Sequence, residues 1–209
     1  MGRAVSMTQL LTKKFNLLPF DGIWEASFGK PELAGSWLIW GQSGSGKTRF
    51  TLQLCKYLSQ FGRIAYNSRE EGCGPTIQKA FIETGMDTVK RSSIILLNES
   101  TQELYERLKR KKSPQIVVTD SVQYSGMNYR DYCTFKDTFR SKLLIFVSHA
   151  DGKEPSSRTA KSIRYDADVK IRCEGYKAFV TSRYGGGEVF TIWPEGAEQY
   201  WGENIISIN

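Results

Sequence analysis

Gly41-Gln42-Ser43-Gly44-Ser45-Gly46-Lys47-Thr48 satisfies every fixed position of G-x-x-x-x-G-K-[ST], the pattern of a backbone cradle for phosphate. Leu38-Ile39-Trp40 ahead of it is a short apolar run that reads as a buried strand. Behind it, residues 48–60 carry Phe50, Leu52, Leu54, Tyr57 and Leu58 at broadly helical spacing. The loop therefore joins a strand to a helix, the context the motif needs. Its three glycines let the backbone turn with N–H groups inward, so those groups and the positive end of the new helix face a triphosphate. Lys47 then reaches the β- and γ-phosphates, the Thr48 hydroxyl binds Mg²⁺, and Arg49 extends the nucleotide contacts into the helix.

At 209 residues the chain suits one domain with a sizeable core. Its net charge of +7, from 29 Lys and Arg against 22 Asp and Glu, suggests an anionic partner beyond the nucleotide, with nucleic acid the first class to consider. Cys55, Cys73, Cys133 and Cys173 are far apart and form no C-x-x-C pair, which argues against a zinc site or a disulfide framework and fits a reducing cytoplasm. No apolar run approaches the roughly 18 residues needed to cross a bilayer, and the first residues lack the apolar centre of a signal peptide. The expectation is a cytoplasmic protein with no membrane partner. No repeat, low-complexity tract or linker divides it. Residues 1–36 read as a lead-in whose Leu17, Leu18, Phe20, Ile23, Trp24 and Phe28 lie across the sheet or pack on a neighbouring subunit, and residues 37–209 as the core.

Residues 63–68 read as a second strand ending at Arg69-Glu70-Glu71-Gly72. A carboxylate at such a strand end can orient and deprotonate a water in front of a γ-phosphate, and Glu70, nearer the strand, is preferred to Glu71. Pro75 opens a helix with Ile77, Ala80, Phe81 and Ile82 on its apolar face. Residues 93–97 form a third strand, and Ser100 with Glu103 makes a capping box for a helix over 101–111. That helix closes in Arg107-Leu108-Lys109-Arg110-Lys111-Lys112, read as cations favourably placed at a helix C-terminus in solvent rather than as a nucleic-acid contact.

The β-branched run Ile116-Val117-Val118-Thr119 ends in Asp120, the Walker B pattern, in which the carboxylate holds Mg²⁺ directly or through water. A loop and helix over 124–138 precede the buried strand 142–148, which ends in His149, placed to sense the γ-phosphate. Residues 151–165 have the composition of a mobile basic loop, whose Lys153, Arg158, Lys161 and Arg164 can hold a phosphate backbone. Strands over 168–173, 178–182 and 188–193 finish the chain, the last two joined as a hairpin through Gly185-Gly186-Gly187. From Lys153 to Arg183 there are eight basic and four acidic residues.

Taken in order, the phosphate loop, the strand ending in Glu-Glu, Asp120-Ser121-Val122-Gln123, Ser148-His149, Tyr165-Asp166-Ala167-Asp168-Val169 and Thr181-Ser182-Arg183-Tyr184-Gly185 resemble the ATPase core of the RecA superfamily. The bacterial RadA branch is the nearest match, with KaiC-like ATPases and short phage recombinases also similar, over roughly residues 15 to 193. The resemblance implies a single P-loop α/β domain with a mostly parallel sheet flanked by helices and antiparallel C-terminal strands. It implies an ATP hydrolase using Mg²⁺, with Glu70 (or Glu71) as catalytic base, Lys47 on the phosphates and His149 as sensor. It further implies an oligomer, a filament or ring, that binds DNA, single-stranded in preference, through 121–124 and 151–165 in recombination, repair or strand annealing. The alternative is a KaiC-like switch that regulates a protein complex without DNA; a small-molecule kinase is a third reading. RadA proteins carry a zinc module ahead of the core and a protease-like domain behind it, neither of which this sequence contains. They also carry Lys-Asn-Arg-Phe-Gly where this chain has Thr181-Ser182-Arg183-Tyr184-Gly185, so the residue reaching a neighbour's nucleotide falls to Arg183 or Lys177.

Overall fold

A computed structural model describes residues 4–206, with the side chains of 203–206 left aside. Two helices, α1 (Met7–Leu11) and α2 (Gly22–Phe28), precede β1 (Gly35–Gly41). Then come α3 (Lys47–Leu58), β2 (Ile64–Ser68), α4 (Pro75–Glu83), β3 (Ile94–Leu97), α5 (Thr101–Lys109) and β4 (Ile116–Asp120). The second half runs α6 (Val122–Ser125), α7 (Tyr129–Thr138), β5 (Leu143–Asp151), β6 (Glu154–Pro155), α8 (Arg158–Asp166), β7 (Val169–Glu174), β8 (Lys177–Ser182), β9 (Phe190–Thr191) and α9 (Pro194–Ile206).

The sheet order is β3-β2-β4-β5-β1-β7-β8-β9. Every pairing from β3 to β7 is parallel, and β8 and β9 add antiparallel strands at the C-terminal side. This is the mostly parallel sheet with antiparallel terminal strands expected above. Because side chains alternate across a strand, two cores form. Trp37 and Ile39 of β1, Ile116 and Val118 of β4, and Leu143, Ile145 and Val147 of β5 join α3 on one face. Leu38, Trp40, Val117, Leu144 and Phe146 face the other way, toward Leu104 of α5, Tyr132 and Phe135 of α7 and Ile163 of α8. With both faces covered, the strands are apolar at nearly every position, as parallel sheets require.

The lead-in contributes directly to the first core. Phe20 meets the rings of Trp24, Phe28, Trp37, Tyr57 and Phe61, and Trp24 stacks on Tyr57 at 4.7 Å between centroids. Leu17 and Ile23 remain exposed.

Two segments differ from the sequence reading. Residues 151–165 are not a single loop: from 158 onward they form α8, which Ser157 caps by accepting from the Ala160 N–H at 3.0 Å, and Ala160 and Ile163 are buried against the sheet. Gly152, Pro155 and the two serines gave the segment a loop composition, yet Ala160 and Ile163, one turn apart, dock the helix. The expected strand 188–193 shrinks to Phe190–Thr191, and the chain then enters α9, with Pro194 at its first residue. Gly185–Gly187 is not a tight hairpin either. It passes close to α2, where a Cβ on Gly186 would lie 2.6 Å from the Ser27 backbone.

Phe20, 2% exposed amid five rings, is the strongest single tie between lead-in and core. Phe20→Ala is expected to lower unfolding stability by about 3–5 kcal/mol, read from the urea midpoint at unchanged slope.

Candidate functional site

The carboxyl ends of the parallel strands lie on one edge of the sheet, where open α/β sheets bind ligands. Gly41 ends β1 level with His149 of β5 and Cys173 of β7, and Asp120 ends β4 level with Ser68 of β2. A Cβ on Gly41 would stand 2.3 Å from the Cys173 carbonyl oxygen, so only glycine lets the loop leave the sheet here. Gly44 and Gly46 take φ of +75° and +94°, the left-handed region that turns successive N–H groups toward one side. Helix α3 begins at Lys47 with no side-chain cap, leaving its first-turn N–H groups for a ligand.

Lys47 Nζ donates to the Gln42 carbonyl at 2.7 Å. Burial lowers the pKa of this ammonium, against the opposing fields of Cys173, Glu70 and Asp120. Asp120 is 5% exposed, and no cation reaches ion-pair distance of it among the described residues. Its Oδ2 instead accepts the Tyr66 hydroxyl at 2.5 Å. Burial pushes the Asp120 carboxyl up to about 6; Glu70 and Glu71 push it the same way, and the Tyr66 bond and Lys47 hold it down. The Asp120 carbonyl also accepts the N–H groups of Arg69 and Glu70, at 2.5 and 3.2 Å, which fixes the chain leaving β2. The Asp120–Ser121 peptide is cis.

Glu70, Glu71, Asp120 and Thr48 line one cleft with Lys47 and Arg49. At its side, Glu70 Oε2 and His149 Nε2 share a hydrogen bond of 2.8 Å, each side chain about one-third exposed. The Tyr124 ring stands edge-on to His149 at 6.0 Å. Gln123 Nε2 donates to Ser148 Oγ at 2.8 Å and Ser156 Oγ at 2.9 Å, tying α6 to the end of β5 and to the start of the α8 segment.

The structure thus brings the residues expected at the phosphates and metal into one cleft, with His149 beside it. The other candidates lie outside. Lys153, Arg158 and Lys161 are exposed, whereas Arg164 is paired with Glu154 and lies 5.3 Å over the Trp40 ring. Arg183 pairs with Asp168 at 3.1 Å, and Lys177 lies over Trp201 at 5.3 Å.

Two residues of the site, Tyr66 and Tyr176, were not anticipated from sequence, and a third, Gln123, was expected only as part of a DNA-facing segment. Tyr66 carried a signal, since a tyrosine within an apolar buried strand needs a partner for its hydroxyl. Gln123 carried none beyond its place after Asp120. Tyr176 lines the cleft and donates its N–H to the Ser45 carbonyl at 3.3 Å, a contact made by tertiary packing of the β7–β8 turn.

Among the described residues no cluster of three or more His, Cys, Asp or Glu could hold a metal unaided. The donor set nonetheless suits a phosphate-bound Mg²⁺: one hydroxyl at Thr48 and one buried carboxylate at Asp120, with the remaining positions free for phosphate oxygens and water.

No family model and no curated protein sequence matches the chain. Solved structures do. Flagellar accessory protein FlaH from Methanocaldococcus jannaschii superposes with a TM-score of 0.60 at 15% identity, over 85% of this chain and 94% of that one. The KaiC-like protein PH0186 from Pyrococcus horikoshii OT3 gives a TM-score of 0.55 at 15% identity, over 82% and 87%. Likeness at this identity establishes the fold, a RecA/KaiC-like α/β domain.

A metal held by Asp120 would need its ionised form, so Mg²⁺-dependent nucleotide affinity should fall as pH drops through about 6. Because the Tyr66 hydroxyl holds that pKa down, Tyr66→Phe should move the midpoint of the fall to higher pH. Nucleotide fluorescence titrations at varied Mg²⁺ across this pH range would show both; an unmoved midpoint in the variant would count against the assignment.

Proposed function

We propose that this chain is a Mg²⁺-dependent ATP hydrolase of RecA/KaiC-like type, acting as a nucleotide-state switch in a larger assembly. The observation that carries the reading is Glu70 at 2.8 Å from His149, on the rim of the cleft that also holds Lys47 and Asp120. A carboxylate there can accept the proton of an attacking water, and an imidazole bonded to it orients it and feels its change of charge. The loop N–H groups and Lys47 stabilise the charge that develops on the phosphates. Bound Mg²⁺ neutralises and orients those phosphates; Thr48 and Asp120 are the residues to hold it.

Any change at His149 has a short route outward. The His149 N–H meets Gln123 Oε1 at 3.4 Å, and Gln123 is bonded to Ser156 just ahead of α8. What α8 addresses separates two readings. The finer RadA-like reading, a filament or ring on single-stranded DNA in recombination, repair or annealing, is supported by exposed Lys153, Arg158 and Lys161 beside this route. The switch reading, with a protein at the same surface, is supported by the neutralisation of Arg164 by Glu154. It is also supported by two proteins that share the fold, a KaiC-like protein and a flagellar accessory protein. The second set of observations weighs more, and we adopt the switch. A small-molecule kinase is disfavoured because Arg158–Asp166, which takes up the second half of its candidate lid, packs on the sheet as a helix.

Glu70→Gln is expected to slow ATP hydrolysis by about 10²- to 10⁴-fold with nucleotide binding retained, whereas Glu71→Gln changes it only a few-fold. The reverse result would exchange the two roles. Phosphate release measured with and without single-stranded DNA separates the partner readings: strong stimulation, lost in Lys153→Ala/Arg158→Ala/Lys161→Ala, would restore the DNA reading and displace the switch.

A further inference from the structure

The sheet edge opposite the nucleotide cleft carries charge that the cleft does not use. Strands β3, β2, β4 and β5 lie side by side in that order. The connections that enter them, residues 89–93, 59–63, 110–115 and 139–142, therefore form one row along the amino-terminal edge. They carry eight Lys and Arg and no Asp or Glu. Lys142 is structural: half-buried, it donates through Nζ to Ser113 Oγ at 2.9 Å and the Pro114 carbonyl at 2.7 Å, pinning one connection to the next. The other seven are exposed, and none has an ion-pair partner among the described residues. The run at the end of α5 thus stands in an array that its sequence position alone does not reveal.

The array is rigid. Arg63 Nη1 donates to the Lys112 carbonyl at 3.2 Å, and the Arg63 carbonyl accepts the N–H groups of Gln115 and Ile116, both at 3.0 Å. Ser92 and Lys112 take φ of +64° and +60°, two of the three non-glycine residues with positive φ among those described. Such backbone is disfavoured and persists where surroundings impose it. A shallow cleft runs between the first two connections, with Arg63 on one side and Lys90 and Arg91 on the other.

Strands about 4.8 Å apart make the row roughly 15 Å long. Duplex DNA carries one phosphate per about 1.7 Å of axis, hence roughly nine over that length, about half on the side that faces a flat surface. Seven exposed cations, with no acid in the connections themselves, are more than enough to face the roughly four or five phosphates on that side. None of the exposed large apolar side chains lies in these connections, so there is neither an aromatic platform for unstacked bases nor an apolar wedge for lipid. Arginine in each of the four connections adds a fork that fits phosphate oxygens.

We propose that this edge binds the phosphate backbone of a nucleic-acid duplex without reading its bases. The proposal stands apart from the ATPase reading, because the edge lies across the sheet from the cleft and needs no nucleotide.

Anisotropy of a short labelled DNA duplex, titrated with the full chain in the absence of nucleotide, tests it. With four to six phosphate contacts, log K should fall against log salt with a slope of about −4 to −5. Lys111→Ala/Lys112→Ala should flatten that slope by about 2. Arg63→Glu/Arg91→Glu should weaken binding at least roughly tenfold, whereas Lys153→Glu/Arg158→Glu/Lys161→Glu should leave it intact and Lys111→Arg/Lys112→Arg should preserve it. An unchanged urea midpoint shows that each variant is folded. The proposal is overturned if the edge variants bind the duplex as the parent does, if the α8 variant loses binding equally, or if the parent binds phosphatidylserine vesicles and not the duplex.

Discussion

The whole site hangs on a steric slot at Gly41. The last residue of β1 has no room for a side chain, because the Cys173 carbonyl of β7 and the Ser45 hydroxyl close over it. That slot sets the direction in which the loop leaves the sheet, and the left-handed glycines that follow set where its N–H groups point. Tyr176 closes the loop from outside, since a Cβ on Gly46 would stand 3.1 Å from its ring. Tyr176 is in turn edge-on to Trp193 at 4.9 Å, just before α9, so the C-terminal helix and the phosphate loop share one packing unit.

Against this rigid loop the acids are arranged by burial rather than by ion pairing. Asp120 keeps its carboxylate beneath the surface with a tyrosine hydroxyl for company, while Glu70 and Glu71 stand nearer solvent. Three carboxylates stand against Lys47 and Arg49 in this cleft, so under the proposed function a divalent cation would offset the repulsion between these acids and the phosphates.

Much of this was legible in the sequence because parallel sheets write it plainly. β1, β4 and β5 each carry a buried apolar run that leads to the residue that matters: Gly41, Asp120 or His149. The rest was hidden for identifiable reasons. α8 looks like a loop because its buried face is only Ala160 and Ile163, too few to register as a stripe. α9 was masked by the aromatic run that leads into it. The Tyr66 and Gln123 contacts join residues 54 and 25 positions from their partners, and the basic edge assembles from four connections. Such groupings depend on strand order, which local pattern does not encode.

That strand order also bears on how the chain comes to be folded. The central strand β1 is made early, yet its partners β5 and β7 are encoded roughly a hundred residues later. A nascent chain can pair β2, β3 and β4 among themselves while β1 still has an open edge on either side, and long-range parallel pairing is slow once its partners exist. The slot at Gly41 is thus among the last parts of the molecule to close, so on the ribosome the phosphate loop is complete as sequence well before it is complete as structure.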